Sequence, residues 1–166
     1  MPDTDGKGAV RRCRWRESIR GRRAGIQNPR EYAEVLAELG KMILPAKPNA
    51  AHLGLAEYQV PIITMNIDGL HRQAGSLQVI NVHGDWPDIV LYEDPAPRYQ
   101  EAFGLLMGAN SGDCLLVIGA SESTYFAVQM RYWAKEQGLR VVEIQEQAAV
   151  LVPEFLKAYY QETEKA

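Results

Sequence analysis

The residues best able to do chemistry lie in short polar segments that each follow an apolar run. After Ile62-Ile63 come Thr64-Met65-Asn66-Ile67-Asp68-Gly69, and after Val82 come His83-Gly84-Asp85. After Ile118 come Gly119-Ala120-Ser121, and after Ile144 come Gln145-Glu146. An imidazole such as His83 titrates near neutral pH and can accept a proton as a general base. Beside it, the amide of Asn66 and the carboxylate of Asp68 can orient a sugar hydroxyl or a water. Gly119-Ala120-Ser121 suits a phosphate or ribose contact, since glycine admits close approach and serine can hydrogen-bond at a helix start. Each signal alone also has a plainer reading as loop histidine, turn glycine or cap serine. The other histidines take that plainer reading: His52 as a packing or capping residue, His71 as a helix-surface one. No His-x-x-His or His-x-x-x-His spacing suggests a metal site.

The elements that must position these groups can be read from periodicity. Asn28-Pro29 resembles an N-cap followed by proline at the first helical position, and Tyr32, Val35, Leu36, Leu39 and Ile43 keep helical spacing to Leu44. Pro45 ends that helix, and Pro48-Asn49 opens a shorter one carrying His52, Leu53, Leu55 and Ala56. Val60 to Thr64 is a short continuous apolar run, as a buried parallel strand requires. Strands follow at Leu77–Val82, Asp88–Tyr92, Asp113–Gly119 and Arg140–Gln145. Helices are predicted over Pro97–Gly108, Tyr125–Gln137 (closed by Gly138) and Val152–Tyr160. This alternation predicts a three-layer α/β domain with a mostly parallel sheet. In such sheets ligands sit at the carboxyl ends of the strands, where all the segments above fall.

At 166 residues, 46% apolar and 23% charged, the chain suits one globular domain. No apolar run reaches the length of a membrane span, and no secretory signal pattern opens the sequence. With two cysteines, Cys13 and Cys114, a reducing compartment, the cytoplasm, is the plain expectation. Residues 7–30 hold nine Lys/Arg against Glu17 alone. We read 1–27 as a basic, solvated arm and 28–166 as the folded domain. Such an arm could touch nucleic acid, but no aromatic interleaving or recognition-helix pattern accompanies the arginines.

Taken together, the segments resemble one family. Pro48-Asn49-Ala50-Ala51-His52 resembles the P-N-x-x-H segment of sirtuins. Ile63-Thr64-Met65-Asn66-Ile67-Asp68-Gly69-Leu70-His71-Arg72-Gln73-Ala74-Gly75 resembles their T-Q-N-I-D-G-L-H-x-x-A-G signature. Val82-His83-Gly84 is similar to the catalytic histidine-glycine pair, Pro87 to Glu93 to the P-x-V-V-x-F-G-E strand, and Asp113 to Ser121 to D-x-L-L-V-I-G-T-S. Order and spacing agree over roughly residues 28–155. The resemblance implies a Rossmann-like fold that binds NAD and an acylated lysine peptide, and an NAD-dependent protein-lysine deacylase. His83 would be the general base, with Asn66 and Asp68 beside it in the catalytic set. Thr64, Asn66, Asp68, Gly119, Ser121 and Gln145 would meet NAD. Ile89, Val90, Leu91 and Tyr92 would pair with the substrate peptide by β-augmentation.

Four departures qualify those implications. The family's four zinc cysteines have no counterpart, because only Asp85 and Trp86 separate Gly84 from Pro87, so zinc is expected to be absent. Met1-Pro2-Asp3 resembles the end of the S-G-I-P-D-F-R segment, which implies that the family's first strand and G-A-G-x-S loop are missing. That loss should leave a gap or a new edge in the sheet and limit NAD affinity to roughly millimolar. Met65 replaces the glutamine of T-Q-N, and Gln145 replaces an asparagine. ADP-ribosyl transfer to protein, NAD hydrolysis, or an inactive nucleotide-binding remnant are the alternative functions.

Overall fold

The computed structural model describes residues 29–89, 96 and 98–163. The basic arm over 1–27 lies outside the described residues. Helix α1 (Pro29–Ile43) and helix α2 (Ala50–Glu57) precede strand β1 (Ile62–Thr64), a single helical turn α3 (Leu70–Gln73) and strand β2 (Val79–Asn81). A hairpin of β3 (Gly84–Asp85) and β4 (Asp88–Ile89) follows, then α4 (Tyr99–Met107), β5 (Cys114–Ile118), α5 (Tyr125–Glu136), β6 (Arg140–Ile144) and α6 (Ala148–Thr163).

Element ends obey local chemistry. Asn49 caps α2 through a reciprocal box: its side chain accepts from the backbone of Ala51 and His52, and the His52 ring accepts from the backbone of Asn49. Gly138 takes a left-handed φ of 74° just past α5, as the sequence predicts. Several boundaries differ by a residue or two from the expected ones, and the largest difference falls at the last helix. Helix α6 begins at Ala148, not Val152, because Gln147 at φ 52° accepts the first amide bonds from Val150 and Leu151. Pro153 then falls inside the helix, where its missing donor forfeits only the bond to the Ala149 carbonyl.

β1 pairs parallel with β2 in the register Ile62↔Val79, Ile63↔Ile80, Thr64↔Asn81. β5 pairs parallel with β6 from Cys114↔Arg140 to Ile118↔Ile144. Among the described residues the two pairs share no strand hydrogen bonds, so the expected parallel sheet is present as two parallel halves. Side chains join them instead. One apolar cluster unites Ile62 and Val79 with Ile144, Leu116 and Ile118, beneath α2 and α6. The other unites Ile80, Val82 and Ile63 with Leu115 and Val141, beneath α4 and α5. Because each cluster draws on both halves, the strands form one middle layer between two helical ones. No helix among the described residues is long and apolar enough to cross a membrane.

Candidate functional site

All the polar segments singled out in the sequence leave the carboxyl ends of these strands. Thr64 and Asn81 are paired partners, so Asn66 and His83 stand two residues past matched positions on adjacent parallel strands. The amide of Val82 donates to the carbonyl of Thr64 at 3.0 Å, and that of Trp86 to Ile67 at 3.0 Å, so the two loops run together beyond the strands. Thr64 itself is buried, and its hydroxyl accepts from the Asn66 amide at 3.1 Å. Its role here is to shape the loop that presents Asn66. The Asn66 side chain is exposed, and one oxygen of Asp68 accepts from the Leu70 amide at 3.0 Å, fixing the bend at Gly69.

His83 is half-buried, with Tyr99 of α4 edge-on to its ring at 5.9 Å and Phe126 stacked behind Tyr99 at 4.4 Å. Burial holds its imidazole below the usual pKa, which keeps it neutral and able to accept a proton at pH 7. Gly84 makes the turn after it at φ 76°, where an added Cβ would collide with the carbonyl of Asp88. Beneath the loop, fully buried Asn81 donates to Asp85, whose carboxylate also faces Arg72 at 3.5 Å. Arg72 in turn donates to the carbonyl of Val79 at 2.9 Å. Tyr99 and this Asn81–Asp85–Arg72 network carried no sequence signal that we recognised, because every contact spans separate elements.

The second pair presents Gly119, Ser121 and Gln145 in the same way. The Gly119 amide donates to the carbonyl of Ile144 at 3.0 Å, which sets Gly119 beside Gln145. Gly119 turns at φ 59° with nothing within 4 Å of where a Cβ would sit, so its backbone is open to a ligand. The Ser121 hydroxyl lies 2.8 Å from that of Ser123 and accepts from its amide at 3.2 Å, in an exposed turn before α5. Gln145 donates to Glu143 at 2.8 Å.

Other expected residues fall elsewhere. Ile89 is buried, paired with Gly84 in the hairpin, and Val90, Leu91 and Tyr92 lie outside the described residues. His52 caps α2 as expected. His71 is not a surface residue: its ring lies 4.7 Å from that of His52, and its buried Nδ1 has no hydrogen-bond partner. Burial first, then neighbouring His52, pushes its pKa down to about 4. No group of three or more His, Cys, Asp or Glu among the described residues could hold a metal ion. A cleft of about 500 Å³ lies outside β2, but its Arg72 and Arg98 face Asp85 and Glu101, so its charges are already matched.

Comparison with known proteins bears on the family and the fold. Residues 12–86 match the model of the Sir2 family. The chain is 30% identical over 160 residues to the NAD-dependent protein deacylase of Thermococcus kodakarensis, covering 68% of this chain and 61% of that one. It is 32% identical over 159 residues to the enzyme of the same name in Pyrococcus furiosus, covering 68% and 62%. The chain thus spans about three fifths of the curated relatives it matches. Among solved structures, a Sir2 homologue S24A mutant–ADP ribose complex superposes with a TM-score of 0.82 at 20% identity, over 99% of this chain and 87% of that chain. A structure titled for the mechanism and regulation of Sir2 enzymes gives 0.75 at 25% identity, over 90% and 88%.

Proposed function

We propose that the chain, which the family match and the deacylase relatives assign to the Sir2 family, is an NAD-dependent protein-lysine deacylase. The observation that carries the reading is the register of β1 and β2, from whose paired ends the loops bearing Asn66 and a neutral, half-buried His83 both leave. The donor set fits a dinucleotide. Gly119, Ser121 and Gln145 would hold its adenosine side, and Asn66, Asp68 and His83 its nicotinamide side. When bound, NAD supplies an anomeric carbon activated by a leaving nicotinamide. His83 takes the proton from a ribose hydroxyl, which its lowered pKa allows without a carboxylate partner. Asn66 and Asp68 orient the ribose, and the segment from Ile89 to Tyr92 pairs with the backbone of the acylated peptide.

The reading includes no zinc lobe. Where zinc-binding relatives would need four ligands, the chain closes β3 onto β4 through Trp86-Pro87 alone, with Gly84↔Ile89 and Asp85↔Asp88 in register. We place the protein in the cytoplasm, where Cys114 stays a free thiol.

The test is to incubate the purified protein with NAD and an acetyl-lysine peptide and to identify where the acyl group goes. Acyl-ADP-ribose with free lysine is the expected result. ADP-ribosylated protein, or free ADP-ribose with the peptide still acetylated, would assign transfer or hydrolysis instead. No nicotinamide release would leave a binding remnant and overturn the enzyme reading.

A further inference from the structure

We propose that Arg131 is a positioning residue for the nucleotide, setting the turn after β5 and the end of β6 in mutual register without touching the ligand itself. The inference rests on the NAD reading above. From the middle of α5 the guanidinium reaches Glu143 of β6 with Nε at 3.1 Å and Nη2 at 3.0 Å. The same Nη2 donates to the carbonyl of Ala120 at 2.8 Å. Ala120 lies between Gly119 and Ser121, and Glu143 accepts from Gln145 at 2.8 Å. One planar group therefore ties together the three residues that would meet the adenosine side.

Little else holds that turn. The last ladder bond reaches Gly119, and the hydroxyl of Ser121 bonds only locally to Ser123. Gly119, Ser121, Glu143 and Gln145 are exposed, whereas Arg131 is only 9% exposed. An ion pair whose carboxylate end stays in solvent contributes little net stability, and this one also leaves Nη1 buried without a partner. What the arrangement supplies is direction: a rigid fork that fixes a carboxylate and a carbonyl at once. Lysine cannot reproduce it, since a compact ammonium on a flexible stem has no such fork.

The experiment compares the wild-type protein with Arg131→Met, Arg131→Lys and Glu143→Gln. Calorimetry measures affinity for ADP-ribose and for nicotinamide, and amide hydrogen exchange is followed at Gly119–Ser123. Arg131→Met should weaken ADP-ribose binding roughly five- to thirtyfold while leaving nicotinamide binding unchanged. Exchange should accelerate at Gly119–Ser121, and Arg131→Lys should recover little of either. A folded Arg131→Met protein with wild-type ADP-ribose affinity would overturn the proposal. Should that variant fail to fold, Glu143→Gln decides by the same two readouts, with smaller effects expected and none contradicting the idea. If the wild-type protein binds no ADP-ribose, the NAD reading fails. Exchange then still judges the clamp, and unchanged rates at Gly119–Ser121 would sink it as well.

Discussion

Burial keeps the His83 imidazole neutral, the form the proposed base must take, and this sets how the proposed activity should depend on pH. Its folded pKa lies below that of an ordinary imidazole, near 6.5, so the neutral form persists further into acid. The acid limb of kcat/KM should therefore lie below about 6.5, and a limb above that value would point to another base. His83→Ala should lower turnover by about 10²–10⁴-fold with an unchanged circular dichroism spectrum. His71 behaves differently because it is part of the packing. Its pKa falls to about 4 in the folded state against 6.5 for an ordinary imidazole, so the unfolded chain binds the extra proton between those values. Stability from the neutral His71 is complete above pH 6.5 and is lost as pH falls towards 4. Melting temperature should fall over that window, and His71→Leu should flatten the slope. At this scale the sequence revealed the reactive types but not their surroundings. His83, Asn66 and Asp68 stood out by kind and position. Tyr99 against His83, or Arg131 against Glu143, did not, because nothing in a single sequence pairs residues that far apart.

The elements explain how short strands hold such loops in place. Strand β1 has three residues, yet the amide of Val82 extends its pairing past the ladder, and Trp86 anchors the hairpin on α1. The Trp86 indole donates to the carbonyl of Leu36 at 3.0 Å and packs against Gly40. A Cβ at Gly40 would approach the ring to 2.5 Å, so Gly40→Ala must displace Trp86. That variant should weaken the docking of the hairpin, read as faster exchange of the Trp86 indole proton. Gly84→Ala meets backbone rather than side chain and needs a positive φ, so it should cost at least about 1 kcal/mol and most of the activity with it. On the opposite face, Leu156 of α6 is 3% exposed against α2, and Leu156→Ala should cost about 2–5 kcal/mol in denaturant unfolding. Strands and helices were legible because apolar runs and helical spacing are local signals. The early start of α6 was not, since Pro153 reads as a helix beginning when the bend at Gln147 is unseen.

Across the described residues, two parallel pairs each present loops at their carboxyl ends while two shared apolar clusters hold the pairs in a common layer. The sequence could indicate this layer through its alternating strands and helices. It could not indicate that the halves would be joined by side chains rather than by hydrogen bonds, because that depends on which strands become neighbours. The same arrangement makes the functional account testable as a geometric claim: one dinucleotide must engage both halves. The expected composition of the protein is also specific, with no stoichiometric zinc by elemental analysis and no response to chelators; about one zinc per chain would contradict it. The most direct measurement is a titration with NAD followed by backbone amide resonances. The amides of Asn66, Asp68 and His83 on one half, and of Gly119, Ser121 and Gln145 on the other, should shift together along curves sharing a single Kd. Shifts confined to one half, or separate affinities for the two, would contradict a single site built across both pairs.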